Sequence, residues 1–258
     1  MQKSSLFLEL NNEDKDLYQF VDSYLKDYCD FFGLTVDDVN GIKERFSIGY
    51  RNDIENFLET GKYPNQLIPE VQRTLDRIEY DIILISSYLL EKHRFSILKW
   101  LASKEFLDKK ILTVGVGPGV EIGVILEFLG SSCAIKGYDI DLGDFVIARY
   151  GNKVKKEMFL GSTEKFDTVV LIEILEHLSA PLELLDICSK SMAGNGRLYA
   201  TTALDIPQFD HLYNFRENEI VDLCDRCGLT VIQAKKIEHG TILSKINSVN
   251  EVIEAIKQ

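Results

Sequence analysis

Carboxylates and histidines cluster in two short segments of the second half of the sequence. Glu173, Glu176 and His177 follow one apolar run, and His211 follows the next. Because unperturbed histidine titrates near neutrality, His177 and His211 are the candidates for a catalytic base. The two glutamates and two histidines are also a donor set that could bind a divalent metal. These residues alone leave proton transfer and metal binding both open, and our preferred interpretation assigns no metal.

A glycine-rich loop, Gly115-Val-Gly117-Pro-Gly119, follows a short apolar run and precedes a helical pattern. Glycines at such a place let the backbone approach a ligand closely, and the start of the helix presents unpaired N–H groups. Pro118 suits the first helical turn, where no N–H is needed. Asp139 ends the next apolar run, where a carboxylate can accept hydrogen bonds from both hydroxyls of a ribose. The pattern predicts an adenosine-binding site.

The spacing of the glycines argues against a dinucleotide as the ligand. A dinucleotide-binding loop has a third glycine three residues after the second, whereas Val120 and Ile122 stand beyond Gly119 here. Glu121, near the start of the helix, would oppose a diphosphate electrostatically. A cofactor that carries adenosine without phosphates fits better, and S-adenosylmethionine is one.

The elements that position these residues fall into two regions with different periodicities. Up to about residue 105, apolar residues recur at helical spacing. Gly33 ends the first helix, and Thr35 with Asp38 offers the start of the second. The predicted helices cover residues 17–31, the segment after residue 35, residues 52–59, and two segments between residues 69 and 101 that meet near residues 91–94.

After Lys110, short apolar runs alternate with helical segments. Strands are predicted at residues 111–116, 134–138, 154–160, 168–174, 197–201, 228–237 and 241–246. Helices are predicted at residues 119–129, 145–150, 181–191, 217–227 and 249–257. This alternation predicts an α/β fold with a mostly parallel sheet, in which the last two strands form an antiparallel hairpin.

Four segments resemble the successive motifs of class I S-adenosylmethionine-dependent methyltransferases, in order and spacing. The resemblance covers roughly residues 108–246, and the motifs are specific together rather than singly. The segments are Ile111-Leu-Thr-Val-Gly-Val-Gly-Pro-Gly119, Gly137-Tyr-Asp-Ile-Asp141, Phe166-Asp-Thr-Val-Val170 and Glu173-Ile-Leu-Glu-His-Leu178. The resemblance implies a Rossmann-like seven-stranded methyltransferase sheet over residues 106–258. It also implies an N-terminal helical cap, residues 1–105, that contributes to substrate binding.

The resemblance also implies roles for individual residues. Gly115, Gly117 and Gly119, with Pro118, would pass under the methionine part of the cofactor. Asp139 would hold the ribose. The other cofactor-binding residues implied are Ile140 on the adenine, Gly161 and Ser162 at the adenine edge, Arg94 at the cofactor carboxylate, and Glu173 near the methyl group. The chain departs from the family pattern at Thr113, where an acidic residue is usual, and at Gly161-Ser162, where an aspartate is common.

Composition limits the partners and the compartment. The chain of 258 residues carries 29 lysines and arginines against 41 aspartates and glutamates, a net charge of −12 that disfavours nucleic acid. No stretch reaches the roughly 18 apolar residues of a membrane span, and no signal peptide is read. The five cysteines are expected to be reduced. We therefore expect a cytoplasmic protein that acts on a small molecule without nucleic-acid or membrane partners; its oligomeric state is left open.

Our preferred interpretation is methyl transfer from S-adenosylmethionine to an oxygen or nitrogen of a small molecule, in secondary metabolism. Aromatic residues such as Tyr80 and Tyr88 could line the acceptor pocket. Three alternatives stay open. They are an aminocarboxypropyl transferase of the nicotianamine-synthase type, a metal-dependent 2′-O-methyltransferase that uses Glu173, Glu176, His177 and His211, and a non-catalytic partner subunit with a methyltransferase fold.

Overall fold

The computed structural model describes residues 14–64, 76–204, 206, 208, 210–239 and 249–258. Its N-terminal region is helical. The helices there are α1 (Lys15–Phe32), α2 (Val36–Thr60), α3 (Arg77–Leu90) and α4 (Lys92–Ala102). The alternating region begins with β1 (Lys110–Val114), α5 (Val120–Gly123, continued by a π-helical turn Val124–Phe128), β2 (Ala134–Asp139), α6 (Asp144–Tyr150), β3 (Val154–Lys156) and β4 (Phe166–Leu171). It ends with α7 (Pro181–Ser191), β5 (Met192–Leu204), α8 (Glu219–Arg226), β6 (Leu229–Glu238) and β7 (Val249–Lys257).

The described strands form one seven-stranded sheet with the order β3-β2-β1-β4-β5-β7-β6. Strands β1 to β5 pair in parallel, and β7 pairs antiparallel with both β5 and β6. The parallel strands run the same way, so the loops after β1, β2 and β4 meet at one edge of the sheet. The predicted fold class, a mostly parallel sheet closed by an antiparallel hairpin, is confirmed.

The final element is a strand, so the helix predicted at residues 249–257 is wrong. Val249, Val252, Ile253 and Ile256 follow helical spacing, which misled the prediction. Strand β7 lies inside the sheet and is buried on both faces over most of its length, so it shows no apolar–polar alternation. The strand predicted at residues 241–246 lies outside the described residues.

Strand β3 is shorter than the predicted strand at residues 154–160. It pairs only with β2, and the last pair joins Lys156 to Asp139, the residue at which β2 ends. Beyond Lys156 the chain has no neighbouring strand to bond with, so Gly161 and Ser162 lie in an irregular segment.

The N-terminal helices begin and end at the signals in the sequence. Gly33 ends α1 in the left-handed conformation with φ 66°, and Thr35 and Asp38 form a capping box at the start of α2. Helix α2 continues without interruption to Thr60, whereas separate helices were predicted. Its two interior glycines, Gly41 and Gly49, each cost about 1 kcal/mol and do not end the helix.

Helix α1 packs on the same face of the sheet as the helix after the glycine loop. The Tyr24 hydroxyl donates a hydrogen bond to the Pro118 carbonyl at 2.8 Å, and the Tyr28 ring meets the Phe145 ring edge-on at 5.0 Å. One hydrophobic cluster contains side chains from α1, α3, α4 and this face of the sheet. The division at residue 105 remains a prediction.

The described helices include none long and apolar enough to cross a membrane. The five cysteines, all within the described residues, are unpaired thiols. Cys224 is fully buried in α8, and burial raises the pKa of its thiol to about 12. The Cys224 thiol is therefore held in its protonated form.

We expect Ile253→Ala to lower the free energy of unfolding by about 2–5 kcal/mol, because Ile253 is fully buried in the middle of the sheet. Urea denaturation measures this loss. Ile232→Ala is the matched control, since Ile232 is 49% exposed on β6 and its truncation should change stability by less than about 0.5 kcal/mol. Equal effects of the two substitutions would contradict the central position of β7.

Candidate active site

A cavity of about 900 Å³ opens at the carboxyl edge of the parallel strands. We call it the central cavity. Its walls come from α2, α3 and α4, from the glycine loop, and from the segments after β2, β4 and β5. Most of the predicted site residues line it, namely Arg94, Gly115, Gly117, Pro118, Asp139, Ile140, Glu173, His177 and His211. Gly161 and Ser162 do not; they border a separate, smaller pocket with Ile187, Lys190 and Ser191.

The glycine loop has a conformation that other residues could not adopt. Gly115 has φ +77°, and a Cβ there would lie 2.8 Å from the Ile174 side chain. Gly119 has φ +80°, and its Cβ would lie 2.8 Å from the Tyr150 ring. Gly119 does not line the cavity; its lack of a Cβ lets Tyr24 of α1 and Tyr150 of α6 pack closely against the loop. Left-handed backbone together with this crowding requires glycine at both positions.

Asp139 joins the glycine loop to the end of β2. One carboxylate oxygen accepts from the Gly117 N–H and the other from the Asp141 N–H, both at 2.8 Å. A carboxylate has about four lone-pair sites, so each oxygen can accept a further bond from a ligand. Ile140, next in sequence, is 70% exposed and lines the cavity. Asp139 and Ile140 together offer a ligand a hydrogen-bonding carboxylate beside an apolar side chain.

Arg94 lies in the cavity wall and is already bound to protein groups. Its Nη1 lies 3.4 Å from a Glu173 carboxylate oxygen, and its Nη2 donates to the Tyr88 hydroxyl at 3.0 Å. The Tyr88 hydroxyl in turn donates to Glu121. Burial, partly offset by this hydrogen bond and by Arg94, raises the pKa of Glu121. The network holds one buried cation among two carboxyl groups and a phenol.

Glu173 is held by strands β5 and β7 as well as by Arg94. Its backbone has φ +50°, unusual for a side chain with a Cβ. Thr201 donates to one Glu173 oxygen at 2.6 Å, and the Asn250 amide donates to the two oxygens at 2.8 and 2.7 Å. Sequence analysis missed Asn250 because the segment was predicted to be a helix. Glu173 is therefore a fixed carboxylate in the wall.

The hydrogen-bonded network extends from Asn250 to two further histidines, His239 and His93. His239 contacts the Asn250 side-chain oxygen through its Nε2, and its ring stacks on the His93 ring with centroids 3.6 Å apart. Burial lowers the pKa of both histidines, that of His93 to about 2. Both rings are therefore neutral near pH 7.

The two candidate bases lie together. The His177 and His211 rings meet edge-on with centroids 5.0 Å apart. The Nδ1 of His177 lies 3.1 Å from the Asp210 carbonyl oxygen, and the Nδ1 of His211 lies 3.0 Å from the Ile206 carbonyl oxygen. Because a carbonyl only accepts, each Nδ1 carries a proton, which leaves the Nε2 of a neutral ring as an acceptor.

The surroundings shift the pKa values of the two histidines in opposite directions. Burial alone lowers the pKa of His177, but the carboxylates of Asp210 and Glu176 outweigh it, so this pKa is raised. Burial and the neighbouring His177 lower the pKa of His211 to about 4. His211 is therefore held in its neutral form, whereas His177 takes up a proton more readily than an ordinary histidine.

Glu176 completes a compact group with the two histidines. It is 1% exposed, and one of its oxygens accepts from Thr202 at 3.1 Å. Burial and the nearby Glu173 raise the pKa of Glu176 to about 8. Single ligand atoms of Glu176, His177 and His211 all lie within 4.8 Å of one another. Glu173, which the sequence placed in the same donor set, does not belong to this group.

One face of α2 forms a wall of the cavity that sequence analysis did not identify as part of the site. Phe46, Tyr50 and Asp53 line the cavity from this helix. Their spacing of four and three residues is the signal that could have found them, because it places them on one helical face. Tyr80 and Tyr88 also line the cavity, in the positions expected for pocket residues.

Comparisons with known proteins agree on the fold. No protein-family model matches the chain. A ubiquinone biosynthesis O-methyltransferase from Haemophilus ducreyi is 29% identical over 45% of this chain and 53% of its own length. The chain spans about half the length of the curated relatives it matches.

Two solved structures from Burkholderia thailandensis share the architecture. An O-methyltransferase family protein matches with a TM-score of 0.56 at 13% identity, over 87% of this chain and 73% of that one. The 1,6-didemethyltoxoflavin-N1-methyltransferase, solved with 1,6-didemethyltoxoflavin and S-adenosylhomocysteine, matches with a TM-score of 0.53 at 18% identity, over 73% of this chain and 93% of that one. At such identities the likeness concerns the fold.

We expect acid to weaken the fold partly through His211. Its folded-state pKa of about 4 lies below the ordinary value of 6.5, so the unfolded chain takes up this proton more readily. The stability that the neutral ring contributes is fully present above pH 6.5 and is lost as the pH falls toward 4. Urea denaturation across this pH range should show that the free energy of unfolding falls more steeply for the wild type than for His211→Gln. Parallel profiles would contradict the lowered pKa.

Proposed function

Because the chain has the fold of class I S-adenosylmethionine-dependent methyltransferases, we propose that it binds S-adenosylmethionine and methylates an oxygen or nitrogen atom of a small molecule. A role in secondary metabolism is part of this proposal. The helical region supplies the acceptor side of the cavity, through α2 and α3, and the sheet edge supplies the cofactor side.

One observation carries the proposal: the glycine loop and Asp139 form a cradle that opens into a cavity also lined by the histidine pair His177 and His211. At Gly115 the loop has no room for a Cβ, and the Gly117 N–H fixes the Asp139 carboxylate toward the sheet edge. The cradle offers a carboxylate for the ribose hydroxyls and the apolar Ile140 for a purine ring. These groups fit an adenosyl cofactor.

When bound, S-adenosylmethionine supplies a methyl group that its sulfonium already activates. The residues of the chain mainly have to place the acceptor and exclude water, and placement can contribute roughly 7–11 kcal/mol. Arg94 and Glu173 form a rigid, nearly neutral wall beside the glycine loop. Glu176 holds the segment after β5 against this wall, since its carbonyl accepts from the Leu212 and Tyr213 N–H groups at 2.8 and 2.9 Å.

Of the two histidines, His211 is proposed as the general base. Its Nδ1 proton is committed to the Ile206 carbonyl, so Nε2 is the atom that takes a proton from the acceptor. His177, placed between Asp210 and Glu176, holds the neighbouring segment and carries positive charge more readily. A base of this kind contributes about 10²–10⁴-fold when the acceptor must lose a proton.

A second candidate keeps the reaction but adds a divalent metal at Glu176, His177 and His211. Two imidazoles and one carboxylate suit a transition metal or zinc, and hydrogen bonds from Nδ1 to backbone carbonyls orient metal-binding histidines in many proteins. This candidate is favoured because one ligand atom from each of the three residues lies within 4.8 Å of the other two. In it, the histidines act as ligands and not as a base.

Calorimetry with S-adenosylmethionine tests the cradle. We expect Asp139→Asn to weaken binding about 10-fold, because the charged acceptor of the ribose hydrogen bonds becomes neutral. We expect Asp139→Ala to weaken binding about 100-fold, because the acceptor is removed. Asp144→Ala is the control: this residue is an exposed carboxylate at the start of α6, outside the cavity. Thermal melting confirms folding of each variant.

Unchanged affinity in a folded Asp139→Ala would overturn the ribose assignment. Product analysis with candidate acceptors then separates the transferase classes. Release of S-adenosylhomocysteine indicates methyl transfer, and methylthioadenosine indicates aminocarboxypropyl transfer. Cofactor binding without either product would favour a non-catalytic subunit.

Chelation and elemental analysis distinguish the base from the metal. With His211 as the base, we expect methylation to survive chelator treatment and His211→Gln to lower kcat about 10²–10⁴-fold. With a metal, the purified chain should hold one divalent ion that Glu176→Gln loses, and chelator should abolish activity. A metal-free protein with full activity would remove the second candidate.

A further inference from the structure

Three carboxyl groups, those of Glu121, Asp139 and Glu173, line the central cavity beside the glycine loop. Asp139 is hydrogen-bonded to the loop, and Glu121 follows its last glycine by two residues. Glu173 precedes Ile174, whose side chain packs against the first glycine. Strand β1, which leads into the loop, contains no acidic residue. A positively charged group bound at the loop would thus meet one of these three carboxyl groups.

Two of the three carboxylates are already engaged. Asp139 accepts from two N–H groups, and the proposed function assigns its remaining sites to the ribose. Glu173 accepts from Thr201 and twice from Asn250, and it also faces Arg94. A carboxylate has about four lone-pair sites, so Glu173 has little capacity left for a ligand.

Glu121 has acceptor sites left, although positive charge lies near it. One of its oxygens accepts from the Tyr88 hydroxyl. That hydroxyl also accepts from Arg94, whose guanidinium carbon lies 4.6 Å from the centroid of the Tyr88 ring. Burial raises the pKa of Glu121, and the hydrogen bond from Tyr88 and the charge of Arg94 counteract this effect. A ligand ammonium group would stabilise the charged carboxylate in the same way as Arg94 does.

Arg94 likewise has donors left for a ligand. Its Nε donates to Ser87 at 3.3 Å, its Nη2 donates to Tyr88 at 3.0 Å, and its Nη1 lies 3.4 Å from Glu173. A guanidinium has five N–H donors, so these contacts with described residues do not use all of them. The guanidinium and the Glu121 carboxylate, bridged by one phenol, therefore offer a cationic and an anionic group side by side.

A buried hydroxyl gives an independent sign that the cavity binds a polar molecule. Ser86 lies two residues before Tyr88 on α3, is 2% exposed and lines the central cavity. Its Oγ has no hydrogen-bond partner among the described residues. Buried polar atoms in proteins are nearly always satisfied, so this hydroxyl indicates that a polar ligand completes the wall.

The methionine end of S-adenosylmethionine carries an ammonium group and a carboxylate. We propose that Glu121 binds this ammonium group and that Arg94, beside it, binds the carboxylate. The inference rests on the proposed function and makes Glu121 a residue that determines how the cofactor is recognised. The charge of Glu121 also disfavours ligands that carry a phosphate at this place, because like charges repel each other.

Four adenosine ligands separate the contribution of the ammonium group from that of the rest of the molecule. S-adenosylhomocysteine carries both charged groups, and 5′-methylthioadenosine carries neither. 5′-S-(3-aminopropyl)-5′-thioadenosine carries only the ammonium group, and 5′-S-(3-carboxypropyl)-5′-thioadenosine carries only the carboxylate. Calorimetry with each ligand measures affinity without requiring turnover.

We expect the wild type to bind S-adenosylhomocysteine at least about 10-fold more tightly than the carboxypropyl compound, because a hydrogen bond between charged groups is lost with the ammonium. Equal affinities for these two ligands would overturn the inference.

Glu121→Gln locates the preference, because the amide keeps the size of the side chain and an oxygen for the Tyr88 hydroxyl but removes the charge. We expect it to weaken binding of S-adenosylhomocysteine and of the aminopropyl compound about 10-fold. Binding of the carboxypropyl compound and of 5′-methylthioadenosine should be unchanged. A merely structural role of Glu121 would weaken all four ligands alike, and that result would contradict the assignment.

Glu183→Gln is the matched control. Glu183 is also an acidic residue in the first turn of a helix, α7, but it is exposed and does not line the cavity. This variant should bind all four ligands as the wild type does.

Glu121→Asp provides the test if thermal melting shows that Glu121→Gln does not fold. The shorter side chain moves the carboxylate back by one methylene group. We expect about 3-fold weaker binding of S-adenosylhomocysteine and unchanged binding of the carboxypropyl compound, because the geometry of a charged hydrogen bond is disturbed. Undiminished affinity for S-adenosylhomocysteine in this variant would refute the role of Glu121.

The same titrations separate this inference from the proposed function. If neither S-adenosylhomocysteine nor 5′-methylthioadenosine binds, the proposed function itself is wrong. If both bind but the ammonium group contributes nothing, only the assignment of Glu121 is wrong.

Discussion

The hydrogen bond from the Gly117 N–H to the Asp139 carboxylate is the contact on which the site depends. It joins the loop after β1 to the end of β2, and the parallel pairing of these strands places the two segments side by side. The bond forms because the loop turns through left-handed glycine conformations. Without it, the carboxylate and the loop would each be free to adopt other positions, and the cavity would lose one wall.

Much of the sheet edge could be predicted from the sequence because it depends on local signals. The glycines, the proline in the first helical turn and Asp139 occur at fixed offsets from apolar runs, and the structure brings Gly115, Gly117 and Asp139 to the same cavity. Strand β7 could not be predicted. Its residues are buried on both faces, so their spacing reflects burial rather than helix periodicity, and the role of Asn250 stayed hidden with it.

The acceptor side depended on tertiary packing and was predicted less well. The sequence grouped Glu173 with Glu176, His177 and His211, yet the left-handed backbone at Glu173 and the amide of Asn250 direct its carboxylate toward Arg94. The spacing of Phe46, Tyr50 and Asp53 indicates one face of α2, but that this face lines the cavity is seen only when the helix is placed against α3. Sequence analysis did not separate His177 from His211, because Asp210, whose charge raises the pKa of His177, lies 33 residues away from it in the chain.

The contact of helix α1 with the glycine loop couples two parts of the chain that are far apart in sequence. The Tyr24 hydroxyl donates to the Pro118 carbonyl, and the Tyr150 hydroxyl contacts both Tyr24 and the Gly119 carbonyl. Docking of α1 and the shape of the loop are therefore linked equilibria, and a molecule that binds the loop also stabilises α1. A helical region taken from a relative would keep this coupling only if it carried an equivalent hydroxyl.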